Sequence, residues 1–227
     1  MHAEHKRLGR ILPWLKRQSV DAVACTGDVA DGPGCLRSAA AALRDEEVLT
    51  VSGNHDRWLL QDRVRHVSNA HRLEQTCSTT IDYLSALPGT IEFETVAGKV
   101  LLCHGIGAND LGKAWPGTER SKPIHCEELD RIISSGRYRF VINGHMHFRV
   151  IVNFQVLTLI NAGTITGSHP GVLILDFGEG TVDSYNVCGP VPVHVKTLPL
   201  AGADRTYWPN TQAFDGTWQP VLMHADA

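Results

Sequence analysis

The first half of the chain alternates between amphipathic stretches and short apolar runs. Apolar side chains recur at helical spacing over residues 3–18 and 36–44, and this period predicts two helices. Mostly apolar runs over residues 21–26 and 48–51 predict two buried strands. A charged stretch over residues 57–87 predicts a mixture of helix and loop. This order is typical of strand–helix alternation in an α/β fold.

The second half changes to short strands joined by turns. Turn-forming residues interrupt the apolar runs, which predicts hairpins rather than further strand–helix units. The predicted strands cover residues 90–96, 99–103, 140–142, 149–152, 155–160, 172–177 and 181–187. One hairpin is predicted to turn at Asn153-Phe154, and a helix is predicted over residues 127–135. The pattern therefore predicts an α/β sandwich with mixed sheets, followed by a proline-containing extension over residues 188–227 that packs on the domain or on a partner.

Composition narrows the function classes without changing this architecture. The 227 residues carry a formal net charge of −3, so we expect no membrane binding and no general nucleic-acid binding. No apolar run approaches the ~20 residues of a membrane-spanning helix, and the charged N-terminus does not resemble a signal peptide. The six cysteines lack Cys-x-x-Cys spacing and are expected to be reduced. We therefore expect a cytoplasmic protein.

Four short polar phrases stand at the ends of apolar runs. They are Gly27-Asp28-Val29-Ala30-Asp31, Gly53-Asn54-His55-Asp56, Cys103-His104-Gly105 and Gly144-His145-Met146-His147. Each phrase alone also fits a turn, a helix cap or a core histidine. Four in series, each offering carboxylate, amide or imidazole groups, predict a two-metal hydrolytic site assembled from strand ends.

The side chains in these phrases suit divalent cations. The carboxylate of Asp28 can bridge two ions, and the amide oxygen of Asn54 binds a hard ion without adding charge. The imidazoles of His104, His145 and His147 suit manganese, iron, nickel or zinc. Because His145 and His147 follow a glycine, a loop at this point lets them diverge to separate ions.

Together the four phrases resemble the calcineurin-like metallophosphoesterases over residues 1–187. The resemblance implies a four-layer α/β/β/α sandwich with two mixed sheets and a dinuclear metal centre. Protein Ser/Thr phosphatases of the family carry an arginine after their Gly-Asp phrase, whereas this chain has Asp31-Gly32-Pro33. The second phrase also ends in Asp56 rather than glutamate, so the chain is closer to the compact prokaryotic, phosphodiesterase-like members.

The resemblance also implies how the ligands divide between two cations, with manganese expected and iron, nickel or zinc as alternatives. Asp28 would bridge both ions. The other ligands would be Asn54, His104 and His145 at one ion, and His2 and His147 at the other. His55 would donate a proton to the leaving oxygen or hold the phosphoryl group, and Asp56 would orient its ring.

Residues 107–123 are expected to form a rim over the site. Trp115 would stack on a nucleobase, or alternatively pack on its own domain. Lys113 or Arg120 would replace the missing phosphate-binding arginine, or alternatively remain a solvated charge. Asn54, His55 and Trp115 are thus the predicted substrate-binding residues.

One departure from the family concerns the start of the chain. Family members begin with a strand that ends in Asp-x-His, and here Met1-His2 supplies the histidine without the strand or the aspartate. We expect either a start codon assigned too late or an artificially truncated chain, with a genuinely shortened protein as the alternative. Loss of that carboxylate predicts weaker binding of the ion held by His2 and His147.

The resulting functional expectation is a metal-dependent phosphoesterase. The substrate would be a small phosphorylated molecule, with nucleotides among the candidates, and the bond a phosphomonoester or a phosphodiester. The alternative is a catalytically impaired scaffold or protein-binding module, as in the retromer subunit that has this fold. An in-frame upstream strand ending in aspartate would favour the enzyme. The sequence leaves the native metal, the substrate and a homo-oligomer open.

Overall fold

The computed structural model describes residues 1–202, 205–220 and 222–223. Its helices are α1 (His5–Lys16), α2 (Leu36–Asp45), α3 (Asn54–Leu60), α4 (Ser78–Ala86) and α5 (Glu127–Ser135), with single 3₁₀ turns at Leu73–Gln75 and Thr211–Ala213. Among these described residues, every helix is too short or too polar to traverse a bilayer. Helices α1, α2 and α5 lie where the apolar spacing predicted them, and each of them buries one face.

The strands form three sheets within the described residues. They are β1 (Ala24–Cys25), β2 (Leu49–Thr50), β3 (Thr90–Phe93), β4 (Val100–Cys103), β5 (Phe140–Asn143), β6 (Arg149–Phe154), β7 (Thr158–Ala162), β8 (Gly171–Asp176), β9 (Thr181–Asn186), β10 (Val193–Pro199) and β11 (Tyr207–Trp208). The mixed six-stranded sheet has the order β11-β6-β7-β5-β4-β3. A parallel pair β1-β2 and an antiparallel sheet β10-β9-β8 are the other two.

The mixed α/β class is therefore confirmed, while the number of sheets differs from the predicted two. The strands predicted over residues 21–26 and 48–51 are each only two residues long, although the Val51 amide still donates to the Cys25 carbonyl. In the described residues, β1 pairs only with β2, and β8 pairs only with β9. The described strands outside the six-stranded sheet therefore form two separate small sheets.

Both faces of the six-stranded sheet are buried. Leu101 and Val141 point into an apolar cluster that includes α5, whereas Leu102 and Ile142 point into a second cluster shared with β2 and β8. This alternation follows from the two-residue period of a strand. Because β4 and β5 are parallel, with Leu101 opposite Val141, their carboxyl ends meet at the same edge of the sheet. That edge carries the candidate site.

The hairpin between β6 and β7 turns later than predicted. Phe154 is fully buried in the apolar cluster around α5, so it continues the strand and does not form the turn. The chain reverses over residues 155–157, and the Phe154 amide donates to the Leu157 carbonyl. The predicted turn at Asn153-Phe154 is therefore wrong, because burial of an aromatic ring outweighs the local turn preference of Asn153.

The segment that follows residue 187 contributes to two sheets. Strand β10 pairs with β9, and β11 pairs with β6. Trp208, Phe214 and Trp218 are buried in the cluster that contains α5. In the described residues, this segment thus packs on the chain's own core.

Candidate metal centre

The predicted ligands come from loops that follow strands at one end of the sheets. Asp28 follows β1, Asn54 begins α3 after β2, His104 follows β4, and the loop after β5 carries His145 and His147. Asp28, His145 and His147 have φ angles of 52°, 59° and 62°, in the left-handed region. Non-glycine residues adopt this region at a cost that is typical of functional sites.

Close packing around Asp28 depends on a neighbouring glycine. A Cβ atom at Gly53 would collide with the backbone nitrogen and the carboxylate of Asp28. The carboxylate also accepts a hydrogen bond from the His55 amide at 3.0 Å. The loop after β1 and the start of α3 are therefore locked together, and this fixes the carboxylate that all the other candidate ligands face.

One group of candidate ligands surrounds Asp28 on the β4 side. One ligand atom from each of Asp28, His104 and His145 lies within 4.8 Å of the others. His104 Nε2 is 3.2 Å from Asp28 Oδ2 and 3.0 Å from Asn54 Oδ1. His104 Nδ1 lies 2.6 Å from the Thr26 carbonyl and donates to it, while Nε2 carries the proton that faces the Asp28 and Asn54 oxygens, so a bound cation would replace that proton. We call Asn54, His104 and His145, with Asp28, the His104 side.

His145 provides an independent indication that a cation fits this side. Its Nε2 atom is buried and has no hydrogen-bond partner among the described residues. Burial, followed by the charges of His104 and Lys113, lowers the pKa of His145 to about 4. A neutral imidazole with an unpaired buried nitrogen loses free energy unless a proton donor or a metal occupies that position. The residues present therefore fit a bound divalent cation.

A second group lies on the other side of the same carboxylate. One ligand atom from each of His2, Asp28 and His147 lies within 4.8 Å of the others. The Nε2 atoms of His2 and His147 are 3.0 Å apart, and His2 Nε2 is 3.6 Å from Asp28 Oδ2. Burial is the main cause that lowers the pKa of His2 to about 3, and it also lowers the pKa of His147. We call His2 and His147, with Asp28, the His2 side.

Asp28 is held in the ionised state that bridging requires. Burial alone would raise the pKa of Asp28, but the hydrogen bond and charge of His104, with the N-terminal amino group, lower it strongly. Only 2% of Asp28 is exposed. A buried carboxylate surrounded by imidazoles can accept two cations, one through each oxygen or both through the same oxygen.

His55 lies beside this centre, and its partner differs from the prediction. His55 Nδ1 is 2.7 Å from Asp31 Oδ2, and Nε2 is 3.9 Å from Asp28 Oδ2. Asp56 accepts hydrogen bonds from the backbone amides of Ala30 at 2.8 Å and Gly53 at 2.9 Å. The prediction that Asp56 orients His55 is therefore wrong, because the fully buried Asp56 carboxylate is used to hold the two loops together.

Asp31 ends the phrase Gly27-Asp28-Val29-Ala30-Asp31, and no role was predicted for it. Besides contacting His55, its carboxylate accepts a hydrogen bond from the His71 amide at 2.8 Å. Burial opposes ionisation, but the hydrogen bonds from His55 and His71 lower the pKa of Asp31. The Asp-x-x-Asp spacing was the available signal, since both carboxylates follow one strand.

Two other side chains beside His55, those of Arg65 and Trp58, were missed altogether. Arg65 Nη1 is 3.5 Å from His55 Nε2, and its guanidinium lies over the Trp58 ring at 5.8 Å. Arg65 thus occupies a position that suits a phosphate oxygen. Nothing in the charged stretch over residues 57–87 distinguishes it from its neighbours. Of the two cations predicted instead, Lys113 helps to lower the pKa of His145, and Arg120 is exposed.

The predicted rim residue Trp115 packs on the chain's own aromatic side chains. Its ring is 5.3 Å from Trp218 and 6.0 Å from Phe148, and its Nε1 donates to Ser121 Oγ at 3.0 Å. This packing is the alternative that the sequence left open. The stacking of Trp115 on a substrate base stays a prediction.

The site belongs to a class in which one buried carboxylate faces two sets of imidazoles at strand ends. The profile of the calcineurin-like phosphoesterase superfamily domain matches residues 1–180, and the chain therefore belongs to this superfamily. No curated protein sequence matches the chain.

Solved structures share the fold at low sequence identity. Hypothetical protein PH1004 from Pyrococcus horikoshii OT3 is 12% identical, with 82% of this chain and 84% of that chain covered and a TM-score of 0.63. YfcE, described as a phosphoesterase from E. coli, is 12% identical, with 88% and 96% covered and a TM-score of 0.53. A Vps29 mutant from Entamoeba histolytica is 17% identical, with 83% and 87% covered and a TM-score of 0.51. At these identities the similarity establishes the fold alone.

Proposed function

We propose that the protein is a metal-dependent phosphoesterase that hydrolyses phosphomonoester or phosphodiester bonds of a small phosphorylated substrate. The observation that carries the proposal is the sharing of Asp28 by two groups of imidazole ligands, His104 with His145 and His2 with His147. Membership of the calcineurin-like phosphoesterase superfamily supports the same activity. Two divalent cations would occupy the site, with manganese expected.

Each ligand has a distinct part in this proposal. When bound, the cations activate a water for attack and offset the negative charge of the phosphoryl group. Asn54, His104 and His145 would hold one cation, and His2 and His147 the other, with Asp28 between them. Burial keeps His2, His145 and His147 neutral, so their nitrogens are available as ligands.

His55 would supply the proton that the leaving oxygen requires. The Asp31 carboxylate contacts His55 Nδ1 at 2.7 Å and orients the ring so that Nε2 lies 3.9 Å from Asp28 Oδ2, on the side of the centre. Arg65, 3.5 Å from that nitrogen, would hold a phosphoryl oxygen in the absence of an arginine after Asp28. Asn54 and His55 would thus contact both the centre and the substrate.

The test combines metal analysis with hydrolysis by the full chain. We expect close to two equivalents of manganese per chain, together with manganese-dependent release of p-nitrophenol from p-nitrophenyl phosphate or bis-p-nitrophenyl phosphate. Val96→Ala, on the exposed turn between β3 and β4, serves as the control variant. Absence of hydrolysis of both esters at full manganese occupancy would contradict the proposed activity.

A scaffold function is the second candidate. It is favoured by the ligand count on the His2 side, where Asp28 is the one carboxylate and is shared with the other cation. Such a side would bind its ion weakly, and a single cation would not hold both the attacking and the leaving oxygen as two cations do. One equivalent of manganese without ester hydrolysis would favour the scaffold over the enzyme.

A further inference from the structure

A cavity of about 480 Å³ opens beside His104. Of the proposed ligands, His104 is the one among its described lining residues, and the proton donor His55 does not line it. Its volume lies within the ~300–1,000 Å³ of pockets that hold small organic ligands. Neither the proposed metal ligands nor the proton donor explains so large a space, because a phosphoryl group alone would leave most of it empty.

The cavity walls combine an apolar surface with polar edges. Leu60, Leu84 and Leu87 supply the aliphatic surface from α3, α4 and the residue after α4. Ser52, Gln61 and Ser85 supply hydroxyl and amide groups around it. Such a lining suits a flat organic group that carries hydrogen-bonding atoms at its edge, and it disfavours a purely apolar chain.

An ion pair fixes a guanidinium at the wall of this cavity. Arg57 Nε donates to Asp110 Oδ2 at 2.6 Å, and Arg57 Nη2 donates to Asp110 Oδ1 at 2.9 Å. The bidentate contact joins α3 to the loop after β4 and sets the plane of the guanidinium. Arg57 Nη1 has no hydrogen-bond acceptor among the described residues and is therefore available to a ligand in the cavity.

We propose that this cavity binds the nucleoside group of a phosphodiester substrate and makes the enzyme selective for nucleotide esters. The base would lie on the surface that Leu60 and Leu87 expose, with Arg57 Nη1 donating to an acceptor of the base or sugar. The inference rests on the proposed phosphoesterase function and names its substrate class.

The position of His55 determines which ester bond is broken. His55 does not line the cavity, so in this proposal the leaving oxygen takes its proton at His55 while the nucleoside occupies the cavity. Water adds to phosphorus as the bond between phosphorus and the leaving oxygen breaks, and the water proton replaces the one that His55 gives up. The nucleoside stays on phosphorus, and the products are a nucleoside monophosphate and an alcohol.

The test compares three diesters that share one leaving group. Thymidine 5′-p-nitrophenyl phosphate, phenyl p-nitrophenyl phosphate and methyl p-nitrophenyl phosphate all release p-nitrophenol, so the metals and His55 act on the same leaving oxygen. With manganese and the full chain, we expect kcat/KM for the thymidine ester to exceed that for the methyl ester by at least about 10-fold. Equal values for the thymidine and phenyl esters would overturn the inference, because an apolar ring alone would then suffice.

Two tryptophan variants test the cavity itself. Ala108→Trp places a large ring at an exposed residue of the cavity wall, and we expect it to bring the thymidine-to-methyl ratio within about twofold. Val96→Trp, at a residue that is 87% exposed outside the cavity, is the matched control and should leave the ratio unchanged. A ratio that survives Ala108→Trp would overturn the proposed site.

Ligand binding tests the nucleoside site independently of the phosphoesterase activity on which the inference rests. Thymidine 5′-monophosphate and inorganic phosphate are titrated into the manganese-loaded protein by calorimetry, whether or not any ester is hydrolysed. We expect the nucleotide to bind at least about 10-fold more tightly than phosphate, and Ala108→Trp to abolish that difference. Binding with hydrolysis absent would refute the phosphoesterase and keep the nucleoside site, whereas equal affinities for the two ligands would refute the site.

Discussion

The His104 side and the His2 side share one carboxylate but are built differently. His104 is 2% exposed, its Nδ1 contacts the Thr26 carbonyl, and its Nε2 contacts both Asn54 and Asp28. On the His2 side, the residue His147 is exposed overall on the loop after β5, although its Nε2 atom faces His2 Nε2 at 3.0 Å. Rigid, buried ligands lose less freedom when an ion binds, and therefore bind it more tightly. We therefore expect the His104 side to bind its cation more tightly than the His2 side.

Replacing the shared ligand should remove the distinction between the sides. Asp28→Asn keeps the shape of the side chain but removes the charge that both cations require. We expect manganese content to fall to near zero and ester hydrolysis to fall to the rate without protein, measured by metal analysis and p-nitrophenol release. Retention of one full equivalent of manganese would show that the sides do not depend on a common carboxylate.

Removing the proton donor should lower the rate without changing either side. We expect His55→Ala to lower kcat by about 10²- to 10⁴-fold, more strongly for alkyl than for aryl leaving groups, because poor leaving groups need the proton most. Manganese content should stay at the wild-type value. If the variant loses metal in proportion to activity, His55 is a ligand and not the proton donor.

Asp31 should act through His55, and Asn at this position is the conservative replacement. We expect Asp31→Asn to lower kcat by about 10- to 100-fold, and Asp31→Asn combined with His55→Ala to be no slower than His55→Ala alone. The paired measurement distinguishes positioning of the ring from a general loss of structure. Additive losses would contradict a role through His55.

A matched pair of ligand variants tests whether the His104 side and the His2 side bind manganese with different affinities. His104→Gln should abolish the tighter of two manganese binding steps, and His147→Gln should weaken only the looser step. Stepwise manganese titration by calorimetry measures both. The same change in both variants would show that the His104 side and the His2 side are equivalent.

The smallest effect on activity is expected for Asp56. Its carboxylate accepts hydrogen bonds from the Ala30 and Gly53 amides, and Asp56→Asn keeps only one oxygen as an acceptor. We expect the free energy of unfolding to fall by about 1–3 kcal/mol in urea denaturation. The activity of the folded variant should change far less than for Asp31→Asn; a larger loss would restore Asp56 as the residue that orients His55.

The sequence predicted long periodic elements and strand-end phrases better than it predicted contacts between loops. The helix over residues 127–135 appears with those bounds, because its apolar face and the glycine after it agree. Asp56 was predicted to orient His55 because the two residues are adjacent in sequence. In the structure, the Asp56 side chain instead contacts the Ala30 amide, and Asp31 from another loop contacts the His55 ring. Arg65 was missed because its contact with His55 depends on the path of the chain over residues 61–72, which has no sequence signature.

Local patterns therefore identify which groups can bind metal, and tertiary packing decides which groups support them. The same limit applies to Phe154, where burial in the core displaced a predicted turn. The cavity beside His104 was also invisible in the sequence, since its walls come from α3, α4 and the loop after β4. None of these surfaces has a continuous sequence signature.

The most direct test of the shared-carboxylate centre is crystallography of the manganese-soaked protein with anomalous scattering recorded at the manganese edge. The account predicts two peaks about 3.5–4 Å apart, one on each side of Asp28, with higher occupancy on the His104 side. A fully soaked crystal with no anomalous peak within coordinating distance of Asp28 would contradict it.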